Sequence, residues 1–75
     1  MPVIAKFCGI VIRLLSLGAF GTRLHAFHGN AEMVVDLATL RIIQENVPET
    51  VKWMVIAWAR EHQRELLDGG WRAAA

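Results

Sequence analysis

The chain has 75 residues, 55% of them hydrophobic, and carries a formal net charge of +1. This length accommodates one small domain, and the near-neutral charge excludes the strongly basic composition of proteins that bind nucleic acid through general electrostatics. Cys8 is the only cysteine, so an intrachain disulfide is excluded and we expect a cytoplasmic location. A chain this short buries only about 60% of its unfolded surface, so we expect association with another protein, or with itself as a homodimer, to add stability.

The most apolar stretch of the sequence covers residues 3–20 and is interrupted by Lys6 and Arg13. A membrane-spanning helix needs about 20 largely uncharged residues, so this stretch does not predict a span. Arg13 also falls where a signal peptide would have its apolar centre. We therefore expect no membrane partner.

Four stretches are predicted as strands, at about residues 3–17, 22–28, 31–37 and 40–45. The first is rich in Val, Ile and Leu, and Gly9 within it indicates a bulge or a tight turn after Cys8. Residues 18–22 are predicted as a flexible connection. Gly29 and Asn30 separate the second strand from the third, and both residue types tolerate the positive φ of a two-residue hairpin loop.

This loop predicts the register of the hairpin, because alternate residues of a strand lie on opposite faces of the sheet. On an apolar face the predicted pairs are Ala26 with Met33, Leu24 with Val35 and Thr22 with Leu37. On the other face they are Phe27 with Glu32, His25 with Val34 and Arg23 with Asp36. A further turn at Ala38 and Thr39 predicts that Arg41 pairs with Asp36 and Ile42 with Val35. His25 and His28 then lie on opposite faces and cannot chelate one ion as a pair. We predict no metal site and no cofactor.

The last element is predicted to be a helix over about residues 48–67. Pro48 suits the first turn of a helix, and Glu49 complements its positive end. Two glycines end the helix and leave a tail of residues 68–75. The expected fold class is α+β, with a small antiparallel sheet of three to four strands packed against one C-terminal α-helix.

The predicted helix has two apolar sides at the 3.6-residue period. The stripe expected to cover the sheet consists of Val51, Met54, Val55, Trp58, His62 and Leu66. The opposite side is predicted to bind a partner, because exposed Trp, Ile and Arg are residue types that anchor protein contacts. The partner-binding residues are Trp53, Ile56, Arg60, Arg64 and Leu67, with Lys52 and Gln63 beside them. The alternative is that the tail, including Trp71, folds back over this side.

Catalytic motifs are missing from the sequence: it has no G-x-S-x-G, no phosphate-binding glycine loop and no H-E-x-x-H. Ser16, the only serine, lies in an apolar run. Cys8 as a nucleophile would need a nearby histidine, and a small buried cysteine is commoner. His62, with Glu65 nearby, is of a type that exchanges protons, but a packed core histidine is commoner there. We predict no enzyme activity, no catalytic residue and no small-molecule substrate.

Several short motifs are spread over nearly the whole chain. They are the opening MPVIAKFCGIVIR, His25 and Ala26 with Gly29, the VVDL of the third strand, Pro48, the pattern W-x-x-x-H-x-x-E-L-L from Trp58 to Leu67, and Trp71. Together they resemble the small bacterial family known as domain of unknown function 4160. The resemblance implies a short antiparallel sheet followed by one helix, and a gene pair of the toxin–antitoxin type.

The chain also differs from that family pattern. Arg23 stands where another histidine is common, Leu40 where a turn glycine is usual, and Trp53 and Ile56 at helix positions that are commonly charged. Two functions are therefore expected as alternatives. The first is a non-enzymatic protein-binding module, either the partner in a toxin–antitoxin-like system or a phage or mobile-element inhibitor of a host defence complex. The second is a nucleic-acid-associated regulator that uses an exposed, mildly basic sheet face around Arg23, His25 and Phe27.

Overall fold

The structure is a computed structural model and describes residues 3–68. Within these residues the elements are β1 (Val3–Phe7), β2 (Ile10–Ser16), a 3-10 turn (Gly18–Phe20), β3 (Thr22–His28), β4 (Ala31–Asp36), β5 (Ile42–Asn46) and α1 (Glu49–Leu67). The strands form one antiparallel sheet in the order β1-β2-β3-β4-β5, so each strand pairs with its neighbours in the chain. No helix in this part of the chain is long and apolar enough to cross a membrane.

The first predicted strand, residues 3–17, is in fact two strands joined by a hairpin. Phe7 lies opposite Ile10, and the two loop residues Cys8 and Gly9 have φ angles of 49° and 75°. Positive φ at both loop residues is the pattern of a type I′ turn, which matches the twist of the flanking strands. The described sheet therefore has five strands, and the prediction of three to four was too low because the apolar run continues through the turn.

The register predicted for the β3–β4 hairpin is confirmed, from His28 opposite Ala31 to Arg23 opposite Asp36. Gly29, the first loop residue, has a φ of 60° and so uses the conformational freedom of glycine. The next hairpin also has the predicted pairing of Val35 with Ile42. Its second strand begins at Ile42 instead of residue 40.

The helix covers one face of the sheet and forms the hydrophobic core with it. The buried core residues are Ile4, Ile10, Ile12, Leu24, Ala26, Met33, Val35 and Leu37 from the sheet and its turn, and Val51, Val55, Ala59 and Leu66 from α1. Ala59 is fully buried, although the predicted stripe did not contain it. Met54, Trp58 and His62, which the stripe did contain, are only half-buried, although Met54 and Trp58 pack against the core.

The inward side of α1 is therefore rotated relative to the prediction. Val51, Val55 and Ala59 are four residues apart, and four residues advance the helix by about 40° beyond one full turn. The row of buried residues on α1 therefore turns gradually toward the side of the helix that carries Ile56 and Gln63. The small side chain of Ala59 is what a close approach of helix and sheet requires at this point.

Polar and aromatic contacts join α1 to the sheet and its turns at three places. The Gln63 Nε2 donates to the backbone carbonyls of Leu37 and Ala38, at 2.9 Å each, so Gln63 does not belong to the outer side where it was predicted. The Lys52 Nζ lies 3.0 Å from the Glu45 Oε1. Trp58 stacks on Phe7, with ring centroids 6.1 Å apart, and contacts the tilted ring of His62, with centroids 4.4 Å apart. The predicted tail beyond residue 68, with Trp71, lies outside the described residues.

Candidate functional site

The first candidate surface is the outer side of α1, formed by Trp53, Arg60, Arg64 and Leu67 and called here the helix surface. Trp53 is 59% exposed and Leu67 45% exposed, and both arginines are exposed. Spacings of seven, four and three residues place these side chains along one side of the helix. The surface therefore combines two apolar side chains with two guanidinium groups.

Lys52 lies at the border of the helix surface and connects it to the sheet. Its Nζ is 4.7 Å from the centroid of the Trp53 ring, a cation–π distance. Hydrogen bonds to Glu45 and then to Glu49 raise the pKa of the Lys52 ammonium. The Trp53 ring therefore packs against an ammonium group that two carboxylates position.

Ile56 is the predicted partner-binding residue that the structure places elsewhere. It is half-buried and packs against the hydrophobic core. The rotation of α1 toward Ala59 brings it there, because Ile56 is three residues before Ala59 on the same side of the helix. The helix surface thus contains four of the five predicted residues, and Ile56 lies between α1 and the core.

The second candidate surface is the sheet face that α1 does not cover, called here the open face. Among the described residues it carries Lys6 of β1, Val11, Arg13 and Leu15 of β2, Arg23, His25 and Phe27 of β3, Glu32, Val34 and Asp36 of β4, and Gln44 and Asn46 of β5, which lie side by side in the strand register. The three residues of the predicted alternative site therefore point to one face, as their spacing of two requires. Val34 is only 7% exposed there, because His25 and Gln44 flank it.

His25 is held in a fixed position on the open face. Its Nδ1 lies 3.0 Å from the Glu32 Oε2, and the Gln44 Nε2 lies 3.5 Å from the Glu32 Oε1. The imidazole also stacks on the Phe27 ring, with centroids 6.4 Å apart and planes 20° from parallel. Two aromatic rings thus form a small flat platform near the middle of the sheet.

Arg23 is not paired with Asp36 in the way that the cross-strand prediction required. The Asp36 Oδ1 instead accepts hydrogen bonds from the backbone N–H groups of Ala38 and Thr39, at 2.9 Å and 3.3 Å. No ion pair joins Arg23 to Asp36 among residues 3–68. One oxygen of the Asp36 carboxylate thus binds the following turn and not the guanidinium of Arg23.

The consequence is a cation with an unsatisfied donor at the end of the open face. The Arg23 Nε is shielded from water and has no hydrogen-bond partner. A depression of about 280 Å³ lies beside it, lined by Arg23, Asp36, Arg41, Ile42 and Ile43. The sequence did not predict this depression, because Arg41 reaches it from the turn and because Arg23 was expected to pair with Asp36.

Residues considered for catalysis or metal binding are not gathered into one site. His25 and His28 lie on opposite faces, as the confirmed register requires. Residues 3–68 contain no group of three or more His, Cys, Asp or Glu side chains that could hold a metal ion. Cys8 is exposed in its turn, which corrects the expectation that it is buried.

A known protein family matches most of the chain. The family described as Domain of unknown function (DUF4160) matches residues 9–71, which is more than four-fifths of the chain. No curated protein and no solved structure is significantly similar to the chain. The match covers β2 to β5 and all of α1, so both candidate surfaces lie within the matched region.

Proposed function

The chain belongs to the DUF4160 family, and for this member we propose a small non-enzymatic protein-binding module that acts through the helix surface. The observation that carries the proposal is the exposed Trp53, which is 59% accessible although its ring is already positioned by Lys52. A tryptophan held in place loses little conformational freedom on binding. Trp and Arg are also the side chains most enriched among the residues that dominate binding energy.

The magnitude of this contact is that of a residue that dominates binding energy, for which the threshold is about 2 kcal/mol. A tryptophan buries up to about 250 Å², so roughly 150 Å² of the Trp53 side chain remains to be covered. At about 25 cal/mol per Å² this corresponds to an upper limit of about 4 kcal/mol. Leu67 adds apolar area at the end of the helix, and Arg60 and Arg64 favour a partner with carboxylates at the rim.

The proposed partner is another protein, either the product of a toxin-like gene or a component of a host defence complex; a second copy of this chain is the alternative. In the first case the chain acts as the binding partner in a toxin–antitoxin-like pair. In the second case it acts as an inhibitor carried by a phage or mobile element, in the cytoplasm. All these roles require the helix surface, and they differ only in the protein that binds to it.

The test compares Trp53→Ala and Leu67→Glu with the parent chain. Both residues are exposed, so both variants should keep the parent's circular dichroism spectrum. Phe20→Ala is the matched control, because Phe20 is 82% exposed in the turn between β2 and β3. Light scattering measures self-association, and calorimetry measures binding to a protein recovered from the source cell. Both helix variants should weaken association about tenfold or more, and the control should not.

If the two helix variants and the control bind every recovered partner equally, and self-associate equally, the helix surface is not the functional one. The second candidate function would then take precedence. It is a nucleic-acid-associated regulator that uses the open face, and the observation that favours it is the platform of His25 and Phe27 on the same strand as Arg23. Aromatic rings on the face of an antiparallel sheet are a common means of stacking unpaired bases, and both rings here are half-buried.

A further inference from the structure

The depression at the end of the open face has the character of an anion site. A shielded N–H donor without a hydrogen-bond partner is costly, because it loses its bond to water and gains none in return. Arg23 is in that position, and its cross-strand neighbour Asp36 is engaged by the turn. An anion in the depression would instead meet the guanidinium groups of Arg23 and Arg41, whose side chains line it. The guanidinium group suits this, because its fork of N–H donors matches the oxygen atoms of a carboxylate or phosphate.

The charges around the depression favour an anion with a single negative charge. Arg23 and Arg41 contribute two positive charges and Asp36 one negative charge, so the formal local charge is +2 − 1 = +1. A phosphodiester carries one negative charge and matches this value. A phosphate monoester, at about −1.5 to −2, would exceed it and would be repelled by the nearby carboxylate.

The position of the aromatic platform indicates which phosphodiester fits. Phe27 lies four residues after Arg23 on the same strand, and a strand rises by about 3.3 Å per residue, so the two are separated by roughly 13 Å. A single strand of nucleic acid places bases and phosphates at such separations within about two nucleotides. Single strands are typically bound by a basic groove for the backbone together with aromatic rings for the bases.

We propose that the depression binds a backbone phosphate of a single-stranded nucleic acid through Arg23 and Arg41, while a neighbouring base stacks on Phe27. This proposal rests on the second candidate function and supplies it with a defined contact. It is independent of the helix surface, since Trp53 and Leu67 lie on α1, on the opposite side of the sheet from the open face.

The experiment measures binding of labelled single-stranded oligonucleotides of about eight residues, one of uridine and one of deoxythymidine, by fluorescence anisotropy at several salt concentrations. Arg41→Gln is the main variant, because Arg41 is exposed and its loss should not disturb folding. Arg60→Gln is the matched control, since it removes the same charge from the helix surface. Phe27→Leu tests the platform, and circular dichroism checks the fold of each variant.

The parent should bind at least one oligonucleotide at low salt, and Arg41→Gln should weaken binding and lower the slope of log K against log salt by about 1. Arg60→Gln and Trp53→Ala should leave that slope unchanged. Phe27→Leu should weaken binding about tenfold with no change of slope, because stacking is not ionic. The choice between uridine and deoxythymidine identifies RNA or DNA as the source of the phosphate.

Two results would overturn the proposal, and they are distinguishable. If neither oligonucleotide binds more tightly than about 1 mM, the second candidate function itself is wrong and the phosphate site fails with it. If an oligonucleotide binds but Arg41→Gln and Arg60→Gln behave alike, nucleic acid is bound elsewhere and only the assignment of the depression fails.

Discussion

Replacing Cys8 by asparagine is expected to raise the free energy of unfolding by about 0.5–1 kcal/mol. Cys8 has a φ of 49° and is followed by Gly9 at 75°, so the residue occupies the left-handed region, which costs an L-residue roughly 1–2 kcal/mol. Asparagine recovers part of this cost, because Asn-Gly is the preferred pair in type I′ turns. The thiol is exposed, so its removal leaves no cavity.

For a domain of this size, 1 kcal/mol corresponds to about 4–8 °C in the melting temperature, so Cys8→Asn should melt roughly 2–8 °C higher. Thermal melts followed by circular dichroism, under reducing conditions, measure the change. Cys8→Ser should melt close to the parent, and Cys8→Val should melt lower, because a β-branched side chain is strained at positive φ. An asparagine variant that is no more stable than the valine variant would refute the assigned turn, and with it the division of residues 3–17 into two strands.

Three further outcomes follow from the same structure. Trp58→Ala should destabilise by about 2–3 kcal/mol in urea unfolding, less than a fully buried aromatic because Trp58 is half-buried, and His62→Ala should cost less. Thermal melts with and without chelator should coincide, since His25 and His28 lie on opposite faces. The pKa of Lys52 is raised in the folded state, so its charge stabilises the fold below the unfolded-state pKa, and this stability is lost as pH rises above about 10. The variant Lys52→Met should therefore lose less stability than the parent in that alkaline range.

The β3–β4 hairpin could be predicted from the sequence because two independent signals agree. Gly29 and Asn30 mark the loop, and a shift of one residue would move Leu24 and Ala26 from the core to the open face. Both of these side chains are fully or almost fully buried. The hairpin at Cys8 and Gly9 has only one such signal, because apolar residues continue on both sides of the turn.

The inward side of the helix was predicted less well, for a physical reason. A search for large apolar residues favours Trp58 and passes over Ala59, which carries little hydrophobic area. Ala59 is nevertheless fully buried in the core that helix and sheet share. Large side chains such as Trp58 then lie at the border, where they stack on Phe7 at the sheet edge.

The depression could not be predicted, because it depends on which of two partners the Asp36 carboxylate takes. Strand register alone places Arg23 opposite Asp36 and suggests an ion pair worth at most about 1 kcal/mol. Two N–H groups of the following turn, from Ala38 and Thr39, compete for the same oxygen atom. Both of these hydrogen bonds are made, and no ion pair joins Arg23 to Asp36 among residues 3–68.

Leu40 shows how a departure from the family pattern is accommodated. It stands where the resemblance implies a turn glycine, and its φ of 61° is one that glycine adopts without strain. The left-handed conformation costs roughly 1–2 kcal/mol. Leu40 is half-buried and packs against the core, and burying about half of such a side chain stabilises the fold by about 1–1.5 kcal/mol, since full burial contributes about 1.5–3 kcal/mol.

Leu40→Gly should therefore change the free energy of unfolding by less than about 1 kcal/mol, because relief of strain offsets the lost contacts. Leu40→Ala loses the same contacts and keeps the strain, so it should be less stable than the glycine variant by about 1 kcal/mol. Urea unfolding of the two variants beside the parent decides the matter. An alanine variant as stable as the glycine variant would mean that residue 40 does not have a positive φ, and that the β4–β5 turn differs from the one described.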